Sequence, residues 1–548
     1  MSESLRYTMP AMLGASFRRF AGRDALAFAG QPAESYAAVE RGIGAVTALL
    51  QRAGICRGDR VAILGHNMPN WAKAYFGTTC LGAVAVPLLP DFHSDEIGNI
   101  AAHAQARALF ITQSLGRRLA EVDTSGLDLI VRIDDFAIVK SPVPGLAFDP
   151  EAAPAAVLPE VREDELAAIV YTSGTTGRSK GVMLSHRNIC WNAQQSRLIQ
   201  PVDAHDRFLS ILPLSHTYEN TLGLVLPLLC GASVHYLTKP PTSAVLLPAL
   251  QAVRPTTILS VPLVIEKIYR NRVLPVLHRN FVTRLLYRFP LARRALHRIA
   301  GNSLMATFGG QLRFFGIGGA KLDPGVDRFL HEARFPYAIG YGLTETAPLV
   351  AGSAPFATRV GAVGPRLPGL AVELRDLNPR TGEGEVWVRG PSVMQGYFKE
   401  PGLSAEVLTP DGWFRTGDLG AFDSQGNLAI RGRLKNVIVG ASGENIYPED
   451  IEALINSFRY VVESIVVQQK GRLVAMVHLN REELEQRYQD LRDGVEKRVD
   501  ELLRELKARV NARLNRFSQL QRVVSWPEPF QKTPTQKIKR FLYQEPAV

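Results

Sequence analysis

From the start of the chain to about Pro379, short apolar runs of strand length alternate with stretches of helical periodicity, and no other pattern constrains the fold as strongly. The runs at 60–64, 84–88, 108–112, 166–171, 208–212 and 257–261 are almost continuously hydrophobic. Strands that are apolar on both sides must be covered on both faces, as they are in parallel sheets layered with helices. Between the first two runs the spacing predicts a short amphipathic helix over 70–81. At 548 residues and 46% hydrophobic, the chain can fill several cores, so a multidomain globular protein is expected.

Near Gly382 the texture changes. The stretches 386–389 and 412–431 read as strands joined by polar turns, with DSQGN at 423–427 as a hairpin signal. After Arg433 come an extended piece, a helix starting near Pro448, a hairpin around Lys470 and Gly471, and a long charged helix. On that helix Val495, Val499, Leu502, Leu503, Leu506, Val510, Leu514 and Phe517 fall on one stripe, read as core. The fold class expected is α/β: a large N-terminal domain (1–433) of helix-covered, mostly parallel sheets with a β-rich subdomain, and a small α+β C-terminal domain (434–548).

The stretch 171–181, YTSGTTGRSKG, follows an apolar strand with a loop suited to a polyphosphate. Gly174, Gly177 and Gly181 permit close backbone approach, Thr172, Ser173, Thr175 and Thr176 supply hydroxyls, and Lys180 supplies a cation. A plain surface turn has the same composition, and the spacing is not that of a Walker loop.

Five further stretches carry candidate chemistry. In GYGLTETAP (340–348), Tyr341 can lie on a flat base, Gly342 allows close approach, Thr344 can reach a phosphate or carboxylate oxygen, and Glu345 can hold Mg²⁺. In FGIGGA (315–320), read as following a strand at 312–314, the glycine pair makes room for a planar ring. RTGDLG (415–420) sets Asp418 in a turn between two strands, where a carboxylate can accept two ribose hydroxyls; an Asx-turn is the structural alternative. In 431–452, helix capping accounts for Pro448, Glu449 and Asp450 but not for the arginines and glycines before them. The last, FQKTPTQKIKR (530–540), carries Lys532, Lys537 and Lys539.

Together and in this order, these stretches resemble the adenylate-forming superfamily of acyl-CoA synthetases, peptide-synthetase adenylation domains and luciferases. LPLSHTYENTLG (212–223), GENIYPEDIE and TPTQKIKR look like the corresponding stretches of long-chain fatty acyl-CoA synthetases. The resemblance implies that Thr172 to Lys180 embrace the β- and γ-phosphates of ATP, and that Gly318, Gly319, Ala320, Tyr341 and Gly342 form the adenine slot. It further implies Thr344 and Glu345 beside the α-phosphate and Mg²⁺, Asp418 and Arg433 at the ribose, and Lys537 bridging carboxylate and α-phosphate. His216 matches a position beside the acyl-adenylate, a packed core histidine being the alternative. Lys435, where many relatives have aspartate, would be the hinge of a mobile C-terminal domain, and the loop centred on Gly443 would meet the thiol of coenzyme A. The activity implied is AMP-forming activation of a medium- to long-chain fatty acid, with CoA or a carrier-protein phosphopantetheine as acceptor. Ser179 departs from the proline common before the lysine.

The formal charge of +11 favours anionic partners. The resemblance directs that preference to nucleotides, so no nucleic-acid partner is expected. No acid occurs between Glu266 and Asp323, where Lys267, Arg270, Arg272, Arg279, Arg284, Arg288, Arg293, Arg294 and Arg298 interleave with Phe281, Leu285, Leu286, Phe289 and Leu291. Such a segment reads either as a solvated helical face or as a membrane-surface patch. Cys56, Cys80, Cys190 and Cys230 form no CxxC pair, which argues against a zinc knuckle or disulfide scaffold. The first ten residues lack a secretory pattern, and the apolar run 222–234 is broken by Gly223, Pro227 and Gly231. A cytoplasmic protein is expected, with peripheral contact at the inner membrane face if the basic segment is a membrane-surface patch.

Overall fold

The computed structural model describes residues 6–152, 160–173, 179–277, 281–439, 445–469, 471–487, 494–532 and 538–544. The architecture is mixed α/β, with a large N-terminal portion built on parallel sheets and a smaller C-terminal one. Within the described residues two eight-stranded sheets dominate. One runs, edge to edge, Leu349–Gly352, Tyr337–Gly342, Phe314–Ile317, Thr257–Ser260, Arg207–Ser210, Ser233–Tyr236, Asp24–Phe28, Glu34–Ser35. Its interior pairings are parallel and its two outermost are antiparallel. The other runs Gly396–Tyr397, Ser179–Ser185, Leu166–Ser173, Val84–Leu88, Arg60–Leu64, Ala106–Ile111, Leu129–Arg132, Ile138–Lys140, again parallel at its centre.

The apolar runs became strands because helices cover both faces. Val84–Leu88 is buried at every position: the helix Pro69–Cys80, begun by its proline, packs Trp71, Tyr75 and Phe76 into the core that holds Ala85, while Val84, Val86 and Leu88 enter a second core with Ile97 and Ile100 of the helix Ser94–Ala104. A four-stranded antiparallel sheet, Ala371–Arg375, Gly384–Arg389, Phe414–Phe422 and Leu428–Arg433, forms the β-rich part. The DSQGN segment turns between the last two strands, with Asp423 accepting from the Gln425 and Asn427 amides.

Beyond Ile438 the side chains form cores of their own. One joins Ile446, Ile451, Ile455, Val466, Leu473, Leu503 and Val510, and another joins Ile465, Val467, Met476 and Phe530. The stripe expected to extend to Phe517 is shorter. The helix Gly494–Asn511 ends before Leu514, and Phe517, in a following turn, is exposed, because the chain must reverse to pair Arg522–Trp526 with Arg472–Leu479. This C-terminal portion meets the rest through polar contacts: the Tyr447 hydroxyl donates to Glu383 at 2.5 Å, and Lys321 pairs with Asp450. Among the described residues no helix is long and apolar enough to cross a membrane.

Candidate functional site

The strand Leu166–Ser173 returns antiparallel through Ser179–Ser185, setting Thr172 opposite Lys180. Gly174, Thr175, Thr176 and Gly177 lie outside the described residues, as do Gly443 and Lys537. Lys180 lies over the ring of Tyr397, its Nζ 5.0 Å from the centroid. The Tyr397 hydroxyl donates to Glu345 Oε1 at 3.0 Å. One tyrosine therefore ties the lysine of the first motif to the glutamate of the second. Burial, then the neighbouring Glu345 charge, holds the Tyr397 phenol well above its ordinary range, so it remains a donor.

Thr344 and Glu345 belong to a short turn, Thr344–Thr346, after the strand Tyr337–Gly342. The turn is fixed by its backbone. Buried Asn192 donates to the Leu349 carbonyl at 2.9 Å and accepts from the Leu349 amide at 3.2 Å, while Thr346 Oγ1 donates to the Pro348 carbonyl at 2.6 Å. Gly342 is required by this packing: a Cβ there would sit 1.8 Å from the Pro348 carbonyl oxygen.

Asp418 and Arg433 face each other in register across the hairpin, and Arg433 Nε lies 2.7 Å from Asp418 Oδ1. Asp418 Oδ2 accepts from the Tyr341 hydroxyl at 2.7 Å, and the Asp418 amide donates to Thr416 Oγ1 at 3.0 Å. The expected turn at Asp418 is not present: the residue lies inside the long strand Phe414–Phe422, next to Gly417 in the left-handed region at φ 69° and to a register shift between Leu419 and Gly420. The irregularity aims a buried carboxylate across the sheet where a turn would have left it in solvent. Burial opposes the Arg433 charge, but Asp418, with Tyr341, Glu345 and Glu449, more than offsets it and holds the guanidinium above its ordinary value. Burial and then Asp418 push the Tyr341 phenol upward.

FGIGGA also sits differently from expectation. The strand is Phe314–Ile317, so the first half of the motif is inside it and Gly318, Gly319 and Ala320 follow its C-terminal end. Pairing is parallel to Tyr337–Gly342, so the glycines leave the sheet at the same edge as Tyr341 and Gly342. A Cβ on Gly318 would lie 3.2 Å from the ring of Tyr218. Tyr218 belongs to the segment opened by His216, which precedes the short helix Thr217–Glu219 and is half-buried, not a core residue. The segment opened by His216 is thus seated against Gly318. Beside it, a small cavity is bordered by Tyr75, Val170, Ile189, Ser215 and Asn220. Leu222, Leu224, Val225 and Leu226, which follow it, are fully packed in the main core.

Lys435 is exposed in the turn Leu434–Asn436, two residues after Arg433. Residues 532 and 538 on either side of Lys537's segment pair with each other, Lys532 bonds Glu463 at 2.5 Å, and Arg540 is paired with Glu452, so both flanks are anchored to the C-terminal cores. Tyr397, Tyr218 and Asn192 were not anticipated. Each acts across more than 50 residues of sequence or through a single ring contact, and no periodicity or spacing marks them.

Among the described residues, Thr172 and Lys180 face each other on one hairpin, Tyr397 joins Lys180 to the Glu345 carboxylate, and Tyr341 joins the strand Tyr337–Gly342 to the Asp418–Arg433 pair. No cluster of three or more metal-ligating side chains occurs among the described residues. The signature of AMP-binding enzymes matches residues 14–398. Over 447 residues the chain is 32% identical to the long-chain-fatty-acid–CoA ligase FadD15 of Mycobacterium bovis, covering 76% of this chain and 72% of that protein. It is 29% identical over 548 residues to the peroxisomal long chain acyl-CoA synthetase 7 of Arabidopsis thaliana, covering 89% of this chain and 76% of that one. The crystal structure of ATP-bound MatB from Rhodopseudomonas palustris superposes with a TM-score of 0.76 at 25% identity over 98% of both chains.

Proposed function

Since the chain belongs to the family of AMP-binding enzymes, we propose that it is an AMP-forming fatty acyl-CoA synthetase acting on medium- to long-chain acids with ATP, Mg²⁺ and coenzyme A. The observation that carries this reading is the contact chain Lys180–Tyr397–Glu345 on one side and Tyr341–Asp418–Arg433 on the other, joined at the Tyr337–Gly342 strand and the turn after it. The named relatives, which are long-chain acyl-CoA ligases, supply the substrate class.

In this reading Thr172 to Lys180 hold the outer phosphates, with Gly174, Thr175, Thr176 and Gly177 in the loop. Gly318, Gly319, Ala320, Tyr341 and Gly342 take the base. Asp418 and Arg433 hold the ribose hydroxyls, and Arg433, 2.7 Å from Asp418 Oδ1, orients that carboxylate. Glu345 is a single hard carboxylate oxygen donor, which fits Mg²⁺ because that ion is usually held by one or two carboxylates together with substrate phosphates. When bound, Mg²⁺ offsets negative charge on the phosphates.

The fatty carboxylate, ionised at neutral pH, needs no general base. It attacks the α-phosphorus, forming a carboxyl O–P bond and breaking the bond to pyrophosphate. Lys537 brings a cation to two anions that would otherwise repel, and Thr344 donates to the oxygen on which charge develops. The thiol of CoA then attacks the acyl carbon, its proton goes to solvent, and AMP leaves with the C–O bonding pair. For the second step the C-terminal domain (434–548) turns about Lys435, withdrawing Lys537 and presenting the Gly443 loop. His216, joined to the glycine pair through Tyr218, borders the acyl group.

Carboxylate-dependent exchange of labelled pyrophosphate into ATP tests the first half-reaction, and the absence of exchange with every fatty acid of a chain-length panel would refute the reading. A second reading, transfer to a carrier-protein phosphopantetheine, is separated by scoring free CoA against a carrier-protein acceptor.

A further inference from the structure

We propose that the helices between Pro262 and Thr307 form a docking face for an anionic lipid bilayer. The face lies outside the contacts described above and does not depend on which acid is activated. Several large apolar side chains project from it. Phe281 is 78% exposed, Leu291 80% and Ile299 69%, with Val282 and Phe289 also open to solvent. Arg284, Arg288, Arg294 and Arg298 are exposed among them.

The helix Pro290–Thr307 shows how the two faces divide. Arg293 and His297 turn onto Glu332, at 2.7 and 2.9 Å, and His297 is buried. Leu291, Arg294 and Arg298, at helical spacing, lie on the other side with Ile299. The acids nearest this region are turned away from that face: Glu332 is committed to Arg293, and Glu266 accepts from the Asp323 amide at 3.0 Å.

This composition selects the occupant. Exposed phenylalanine and leucine beside arginine suit the boundary where lipid headgroups meet acyl chains, the rings entering the apolar layer while guanidinium groups stay at the phosphates. A second copy of the chain is disfavoured, since two such faces would bring like charges together over a segment with no acid from Lys267 to Leu322. Nucleic acid would use the arginines but leave the aliphatic groups without a partner. The face is also coupled to the site by position. Its first helix, Pro262–Ile268, begins just after Val261, whose Cγ1 would lie 3.7 Å from a Cβ on Gly319, so the helices depart from beside the glycine pair. Docking there would set the site beside a layer in which long-chain acids dissolve.

The test is sedimentation of the full-length protein with vesicles of phosphatidylcholine alone and of phosphatidylcholine with 30% phosphatidylglycerol. Binding is expected only to the anionic vesicles and should fall steeply between 50 and 500 mM NaCl. At about fivefold per arginine, the triple variant Arg288→Glu, Arg294→Glu, Arg298→Glu should bind roughly 100-fold more weakly or worse. Lysine at the same three positions should retain most of the binding. Phe281→Ser with Leu291→Ser should weaken it without changing its salt dependence. Melting curves matching the wild type confirm that each variant is folded, and Phe289→Trp should shift its emission to the blue on anionic vesicles only. Equal binding to neutral vesicles, or anionic binding untouched by the triple variant, overturns the proposal. So does a wild-type dimer in solution that Leu291→Asp converts to monomer, which would make the face a contact between copies.

Discussion

Glu219 should be a neutral carboxylic acid in the folded protein, and replacing it with glutamine should stabilise the chain by an amount that grows with pH. The side chain is 2% exposed, its Oε1 accepts from Ser210 Oγ at 2.5 Å, and its Oε2 has no hydrogen-bond partner. Burial pushes its pKa up to about 8, against a smaller opposing effect of the Ser210 hydrogen bond. The other titratable groups near it, Tyr218 and Tyr236, are phenols raised by burial and then by Glu219 itself, so no cation offsets the charge. The folded protein thus holds a proton that the unfolded chain releases above its ordinary glutamate value, and stability falls as pH rises from about 4.5 to about 8, then levels off. At 1.36 kcal/mol per pH unit across that window, the wild type should be weaker than Glu219→Gln by up to about 4 kcal/mol at pH 7.5 and equal to it near pH 4.5. With an unfolding entropy of about 2.1 cal/mol/K per residue over roughly 400 residues, that corresponds to about 5 °C in the first melting transition. Scanning calorimetry of both proteins from pH 5 to 8.5 measures it. A difference in melting temperature that stays constant across this range would refute the reasoning, since glutamine keeps the shape and the Ser210 contact and removes only the titration.

Gly342→Ala must displace the 343–348 turn because its Cβ would meet the Pro348 carbonyl, so Thr344 and Glu345 move; kcat/KM for adenylate formation should fall about 100-fold or more, and unchanged kinetics would show that the turn is not part of the site. Tyr397→Phe keeps the ring under Lys180 but removes the hydrogen bond to Glu345, and pyrophosphate exchange should drop by about 10-fold, with Tyr397→Ala dropping further; equal losses in the two variants would mean that the ring contact contributes nothing. Lys537→Ala should lose adenylate formation by a large factor while retaining thioester formation from supplied acyl-adenylate, and equal loss in both half-reactions would show that its role is misassigned.

The central strands were readable in the sequence because burial on both faces leaves no polar residue to obscure the run: Arg60–Leu64 and Val84–Leu88 fall at the expected positions, and the helix between them starts one residue early, at its proline. Ends next to the site were less legible. The strand at Phe314 begins two residues later than its apolar run because pairing with Thr257–Ser260 starts at Phe314, whereas Leu312 is buried in the core that holds Phe315 without a partner strand. The setting of Asp418 depends on a backbone irregularity around Gly417 that reads in sequence as an ordinary turn. Tyr397 was invisible for another reason: it reaches Lys180 and Glu345 only because a two-residue strand, Gly396–Tyr397, adds to the edge beside Val182 and Met183, a pairing too short to leave a pattern.

The proposed rotation requires a pivot with firm ground on each side, and the contacts around Lys435 have that form. Upstream, Arg433 is held by Asp418, a carboxylate only 4% exposed, whose second oxygen is engaged by Tyr341. Downstream, Asn436 donates to Glu449 at 2.7 Å on the helix Pro448–Asn456, which packs Ile451 and Ile455 into the C-terminal core. Between these anchors only Leu434 and Lys435 intervene, both exposed, so changes in their backbone angles could redirect the C-terminal portion without disturbing either anchor. The seam favours such a movement. Tyr447 with Glu383 and Lys321 with Asp450 are polar contacts that water can replace, whereas a shared apolar core would resist separation. In the proposed mechanism the ribose-holding aspartate and the hinge can therefore sit within 20 residues of each other, because the arginine between them belongs to the fixed side.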